Sequence, residues 1–146
     1  MLIVLEGCDG VGKSTIARSL AKILNARIIH CTTTTPNDYN FFKNIIDISK
    51  AQNIIADRFC YGQFVYQTQA ERHLTWEELT QLELDMAEAG AKVIYVKASV
   101  EEVCRRLNIR GEKTSLPVEQ IMDRFEDIFE STSLETPYVW WTGGDD

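Results

Sequence analysis

The chain has 146 residues, 45% hydrophobic and 25% charged, enough for one soluble domain with a real core. Its net charge of −7 excludes duplex nucleic acid as a main partner, and no apolar stretch approaches the length of a membrane span.

In chain order, the apolar run Leu2-Ile3-Val4-Leu5 predicts a buried parallel strand over residues 2–6. It leads into Gly7-Cys8-Asp9-Gly10-Val11-Gly12-Lys13-Ser14, after which Ile16, Leu20, Ile23 and Leu24 fall on one helical face. A second strand is expected over 27–30, then a loop through the Thr32–Thr35 run and Pro36, then a weaker helical pattern over 40–51. The third strand, 53–57, ends in Asp57-Arg58. Thr75-Trp76-Glu77-Glu78 is a capping box, opening a helix that turns Leu79, Leu82 and Met86 inward and closes at Gly90. A fourth strand over 92–97 precedes a second capping box, Ser99-Val100-Glu101-Glu102, and a helix through Val103 and Leu107. Pro117 suits the first turn of a last helix with Ile121, Met122, Phe125, Ile128 and Phe129 on its apolar face. A fifth strand is expected over 138–142.

Strands alternating with helical periods predict an α/β fold, a five-stranded parallel sheet flanked by helices in three layers. Gly7 to Ser14 fits G-x-x-x-x-G-K-[ST] at every fixed position, and it stands between a strand and a helix as that phosphate-binding loop must. The fold expected is therefore that of the P-loop NTPases. The loop backbone from Gly7 through Gly10, Val11 and Gly12, with Lys13, Ser14 and Thr15, forms the expected ATP site. Lys13 reaches the β- and γ-phosphates, and Ser14 ligates Mg²⁺. Open α/β sheets bind ligands at the carboxyl ends of strands, where this loop, Asp57-Arg58 and an arginine-rich helix all follow.

Three motifs carry a closer resemblance. Leu5-Glu6-Gly7-Cys8-Asp9-Gly10-Val11-Gly12-Lys13-Ser14-Thr15, then Asp57-Arg58-Phe59 with Val65-Tyr66-Gln67, then Arg106-Leu107-Asn108-Ile109-Arg110-Gly111-Glu112 resemble, in order, the phosphate loop, Asp-Arg-Tyr segment and arginine-rich lid of thymidylate kinases, within the nucleoside monophosphate kinase group. The resemblance implies one kinase domain over 1–146 with a small lid around 105–116, transferring the ATP γ-phosphoryl group to a deoxynucleoside monophosphate, first of all dTMP. It implies that Asp9 approaches the sugar 3′-hydroxyl and the metal, that Arg58 grips the acceptor phosphate, and that Asp57 holds Mg²⁺ through water. Because Gly10 follows Asp9, where some members carry arginine, Arg106 and Arg110 become the catalytic candidates, with Arg105 turned to solvent. It also implies that Gln63 hydrogen-bonds the base, that Tyr66 crowds the sugar 2′ carbon, and that Phe42 stacks on the base, with Tyr39 and Phe41 as alternatives.

The pattern breaks in places. Thr32 to Asp38 does not match the family's Glu-Pro-Gly-Gly-Thr, Gly62 stands where serine is common, and Lys113-Thr114-Ser115-Leu116-Pro117 replaces an Asp-Arg after the lid motif. The chain stops after its last strand, which suggests a minimal enzyme that pairs as a homodimer. A deoxynucleoside or other small-molecule kinase, or a non-catalytic ATP-binding module, are the alternatives. The absence of a secretory signal, and scattered Cys8, Cys31, Cys60 and Cys104, point to free thiols in the cytoplasm; His30 and His73 stand apart from any zinc ligand cluster.

Overall fold

The computed structural model describes residues 1–32, 37–132 and 137–144. Along them run β1 (Leu2–Glu6), α1 (Lys13–Leu24), β2 (Arg27–His30), α2 (Tyr39–Ser49), β3 (Ile54–Asp57) and α3 (Tyr61–Tyr66). Then follow α4 (Trp76–Glu88), β4 (Lys92–Lys97), α5 (Val100–Arg110), α6 (Val118–Ser131) and β5 (Tyr138–Trp141). The strands form the expected parallel sheet, in the order β2-β3-β1-β4-β5. Every residue of β1 is buried, as befits a central strand whose apolar run Leu2–Leu5 ends in a buried acid, Glu6. From β1 the chain passes to the edge strand β2, returns to β3 beside β1, and then crosses to β4 and β5 on the other side. The strand order reverses at β1, and a cleft opens at the loop beyond its carboxyl end.

Register makes that crevice a site. Leu5 lies opposite Asp57, Asp57 lies opposite His30, and Glu6 lies opposite Tyr95. The strands thus end level, and their following loops leave from one edge.

Local chemistry explains most element ends. Thr75 and Glu78 form the full capping box of α4. Ser99 caps α5 by accepting from the Glu102 N–H at 3.1 Å, but the Glu102 carboxylate turns to Arg105 and Arg106 instead of closing the box. Pro117 stands just outside α6, as its N-cap. α3 was not legible in the sequence, because six residues including Gly62 show no helical period. Residues 33–36 of the expected threonine loop lie outside the described residues.

The core joins Leu5, Ile46, Ile55, Leu79, Leu82 and Ile121 with an aromatic cluster of Tyr61, Tyr95, Phe125 and Phe129 between α3, β4 and α6. Two expectations fail here. Ile23 is 78% exposed, because α1 packs at the β2–β3 side of the sheet and buries only a narrow stripe through Ile16 and Ala17. Phe42, expected to stack on a base, is fully buried and held edge-on between Phe41 and Phe59, with ring centroids 5.2 and 4.8 Å away. The helical period that reveals α2 also places Phe42 on its inward stripe with Ile45 and Ile46. β5 is an edge strand whose four side chains are all exposed.

Phe42→Ala is expected to lower unfolding free energy by about 3–5 kcal/mol, the cost of emptying a closed aromatic site. Urea unfolding checks this; a loss typical of a surface side chain, within about 0.5 kcal/mol, would return Phe42 to the ligand.

Candidate active site

The loop after β1 is shaped by close packing. A side chain at Gly7 would set its Cβ 2.4 Å from the Val96 carbonyl oxygen of β4, and Gly10, at φ +89°, lies against Leu107 and Val103 of α5. Lys13 is buried, and its ammonium donates to the Gly7 and Cys8 carbonyls at 2.7 and 3.1 Å. Burial holds the Lys13 ammonium below the usual lysine value, Arg58 lowers it further, and Asp9, Asp57 and Glu6 oppose them.

β3 delivers the next two groups. Ser14 donates to Asp57 Oδ2 at 2.9 Å, and His30 Nδ1 approaches the same oxygen at 3.1 Å. This hydroxyl–carboxylate pair fits Mg²⁺, which takes one or two protein oxygens and completes its shell with phosphate and water. Among the described residues no group of three His, Cys, Asp or Glu forms a dedicated metal cage. Arg58 adopts φ +71°, a left-handed conformation rarely taken by a non-glycine residue. Its guanidinium pairs with Asp9 and lies 5.1 Å from the centroid of the Tyr66 ring.

Asp9, Gly12, Lys13, Ser14, Asp57, Arg58 and Arg110 line one cleft of about 400 Å³. The arginines of α5 divide sharply. Arg105 is exposed and paired with Glu102. Arg106 is tied on all sides: Nε donates to Glu102 at 2.9 Å, Nη1 to the Gly10 and Val11 carbonyls at 3.3 Å each and to Thr142 Oγ1 at 3.1 Å, and Nη2 to the Thr142 carbonyl at 3.0 Å. It borders a second, mainly apolar cavity of about 480 Å³ with Gly12, Thr15, Ile16, Ile109 and Thr142, and not the phosphate cleft. Arg110 borders both.

On the other side of Arg58, Gln63, Tyr66, Gln67, His73 and Asn37 line a narrow cavity of about 20 Å³. The Gln63 amide is spoken for at both ends: it donates to the Asn37 carbonyl and accepts from the His73 N–H at 3.0 Å. Burial pushes the Tyr66 hydroxyl well above its ordinary value.

Sequence reasoning missed Glu6, Asn37 and Thr142. Glu6 is fully buried at the end of β1, where only the backbone N–H groups of Phe59 and Gly62 turn toward its carboxylate. Burial raises its pKa to about 8, against the pull of Lys13, the Phe59 N–H, Arg58 and the Gly62 N–H. A lone acid between an apolar strand and the loop was its available signal. Thr142 had none, since its contacts depend on β5 joining β4.

Comparison with solved structures gives three informative likenesses. The YorR protein of Bacillus subtilis, in complex with phosphorylated GDP, aligns with a TM-score of 0.81 and 29% identity over 97% of this chain and 86% of that one. Thymidylate kinase from Candida albicans aligns with a TM-score of 0.59 and 19% identity, over 99% and 84% of the two chains. Deoxyadenosine kinase from M. mycoides with bound dCTP aligns with a TM-score of 0.59 and 18% identity, over 99% and 90%. No protein-family model matches the sequence, and the search of curated proteins finds no match. No helix of the described residues is long and apolar enough to cross a membrane. The fold is the α/β fold of P-loop kinases.

Glu6 gives a pH test. Its folded pKa of about 8 lies above the ordinary 4.5, so the stability linked to its proton is full below pH 4.5 and lost as pH rises through 8. Glu6→Gln cannot ionise, so its Tm should fall less than the parent's across that range; parallel Tm curves would contradict a neutral Glu6.

Proposed function

We propose that the chain is an ATP-dependent nucleoside monophosphate kinase acting on a deoxynucleoside monophosphate, dTMP first. The observation that carries this reading is one cleft faced by a phosphate loop with its lysine, a hydroxyl–carboxylate pair suited to Mg²⁺, and the further arginines Arg18, Arg58 and Arg110. A nucleotide-binding module that only holds ATP needs the first two; phosphoryl transfer also needs positive charge on the acceptor and on the migrating group.

The roles follow from which bonds can be exchanged. Lys13 leaves the Gly7 and Cys8 carbonyls for the β- and γ-phosphates. Ser14 and Asp57 hold Mg²⁺, which neutralises charge on the phosphates when bound. Arg58 leaves Asp9 for the acceptor phosphate, and the freed Asp9 carboxylate accepts a hydrogen bond from the acceptor's sugar hydroxyl. Arg110 stabilises charge on the transferring group, because it faces the cleft and its partner Glu112 lies 3.6 Å away at an exposed position. Arg106 holds the loop and edges the apolar cavity, which takes the ATP base. The whole chain works as one kinase unit, with the segment 105–116 over the phosphates.

A second acceptor to test is dGMP, which shares its base with the phosphorylated GDP held by the YorR protein.

Arg58→Ala should raise the acceptor KM more than about tenfold while the ATP KM moves less than about threefold. Steady-state kinetics with each substrate varied in turn decide it, and unchanged acceptor kinetics would remove Arg58 from the site. Arg110→Ala should lower kcat by about 10²–10³ with little change in Tm, whereas Arg106→Ala should lower Tm by several degrees through loss of its loop bonds. The reverse pattern would exchange their roles.

A further inference from the structure

We propose that Asn37 determines acceptor specificity: its carbonyl Oδ1 accepts a hydrogen bond from a ring N–H of the acceptor base. The proposal rests on the monophosphate kinase reading, in which the acceptor phosphate sits on Arg58 and its base lies beyond.

Asn37 is 5% exposed. Its Nδ2 donates to the Thr32 carbonyl at 2.7 Å, which fixes the amide plane and leaves Oδ1 as the end with no partner. A buried acceptor left unpaired is destabilising, so folded proteins retain one where something else completes it. Two neighbours repeat the pattern. The Tyr66 hydroxyl and Gln67 Oε1 are buried without partners and belong to residues lining the same cavity. Gln63, the residue in the expected base-reading position, has both amide ends engaged, one of them with Asn37 itself. Asn37 Oδ1 is therefore a free acceptor in this cavity, beside the Tyr66 hydroxyl and Gln67 Oε1.

At about 20 Å³ the cavity holds a water and not a base, so its walls must part. Arg58 is the wall that the mechanism already moves. An amide oxygen only accepts, so its partner must donate. Thymine N3 and guanine N1 carry a hydrogen in their neutral bases. The corresponding ring nitrogens of cytosine and adenine present lone pairs and would face Oδ1 with repulsion. The site accordingly selects bases with a ring N–H.

The test pairs analogues with a variant. Steady-state kinetics compare dTMP with N3-methyl-dTMP, and dGMP with N1-methyl-dGMP, on the parent and on Asn37→Ala. With the preferred base, methylation should raise the parent's acceptor KM more than about tenfold and the variant's less than about threefold, with the ATP KM unchanged in both. Equal use of methylated and plain acceptor by the parent would overturn the proposal, even if the variant does not fold. So would a penalty of equal size in both proteins, which marks a steric clash elsewhere. Absence of turnover with both plain acceptors would instead overturn the kinase reading, and this proposal with it.

Discussion

A loop that turns its N–H groups inward toward phosphate must turn carbonyls outward, and buried carbonyls need donors. That requirement organises this protein. Lys13 covers the carbonyls of Gly7 and Cys8, while Arg106 and Thr142 cover those of Gly10 and Val11. The two sets differ in kind. Lys13 holds its two carbonyls with a single ammonium on a flexible stem, which the proposed function has exchange them for phosphates. Arg106 is locked by Glu102 and Thr142 and stays. α5 therefore lies against the loop, and β5 is joined to it by the Thr142 hydroxyl, which donates to the Val11 carbonyl at 2.7 Å.

Charge at the end of β1 follows from the same geometry. An acidic protein that binds anions must gather its cations where the anion will sit. Here Lys13, Arg58 and Arg110 meet Asp9 and Asp57 around one cleft, with Glu6 buried behind it. The Asp9–Arg58 pair keeps both ends of the acceptor machinery neutralised, and the left-handed backbone at Arg58 aims that side chain across to the loop. Glu6, held neutral by burial near neutral pH, adds no further carboxylate charge behind the cleft.

Much of this was legible in the sequence because strong local signals carried it. The strand–loop–helix setting of Gly7 to Ser14, the caps at Thr75 and Ser99, and the apolar stripes of α4 and α6 each depend on neighbours within a few residues. The register that brings Ser14 to Asp57 follows from strand ends that could also be read locally. What escaped depends on distant packing. Phe42 is the exception, since the helical period of α2 already sets it on the inward stripe with Ile45 and Ile46. Arg106 and Arg110 sit four residues apart on one helix, and only the position of the loop and β5 separates a structural clamp from a cleft-facing cation. Asn37 is a plain loop asparagine until Thr32 and Gln63 close around it.

The most direct measurement is ADP release by the purified protein with Mg-ATP and each deoxynucleoside monophosphate, ribonucleoside monophosphate and unphosphorylated deoxynucleoside in turn. The account predicts turnover with one or two deoxynucleoside monophosphates, dTMP or dGMP among them, and none with the deoxynucleosides. ATP binding without turnover across the panel, or turnover confined to unphosphorylated deoxynucleosides, would contradict it.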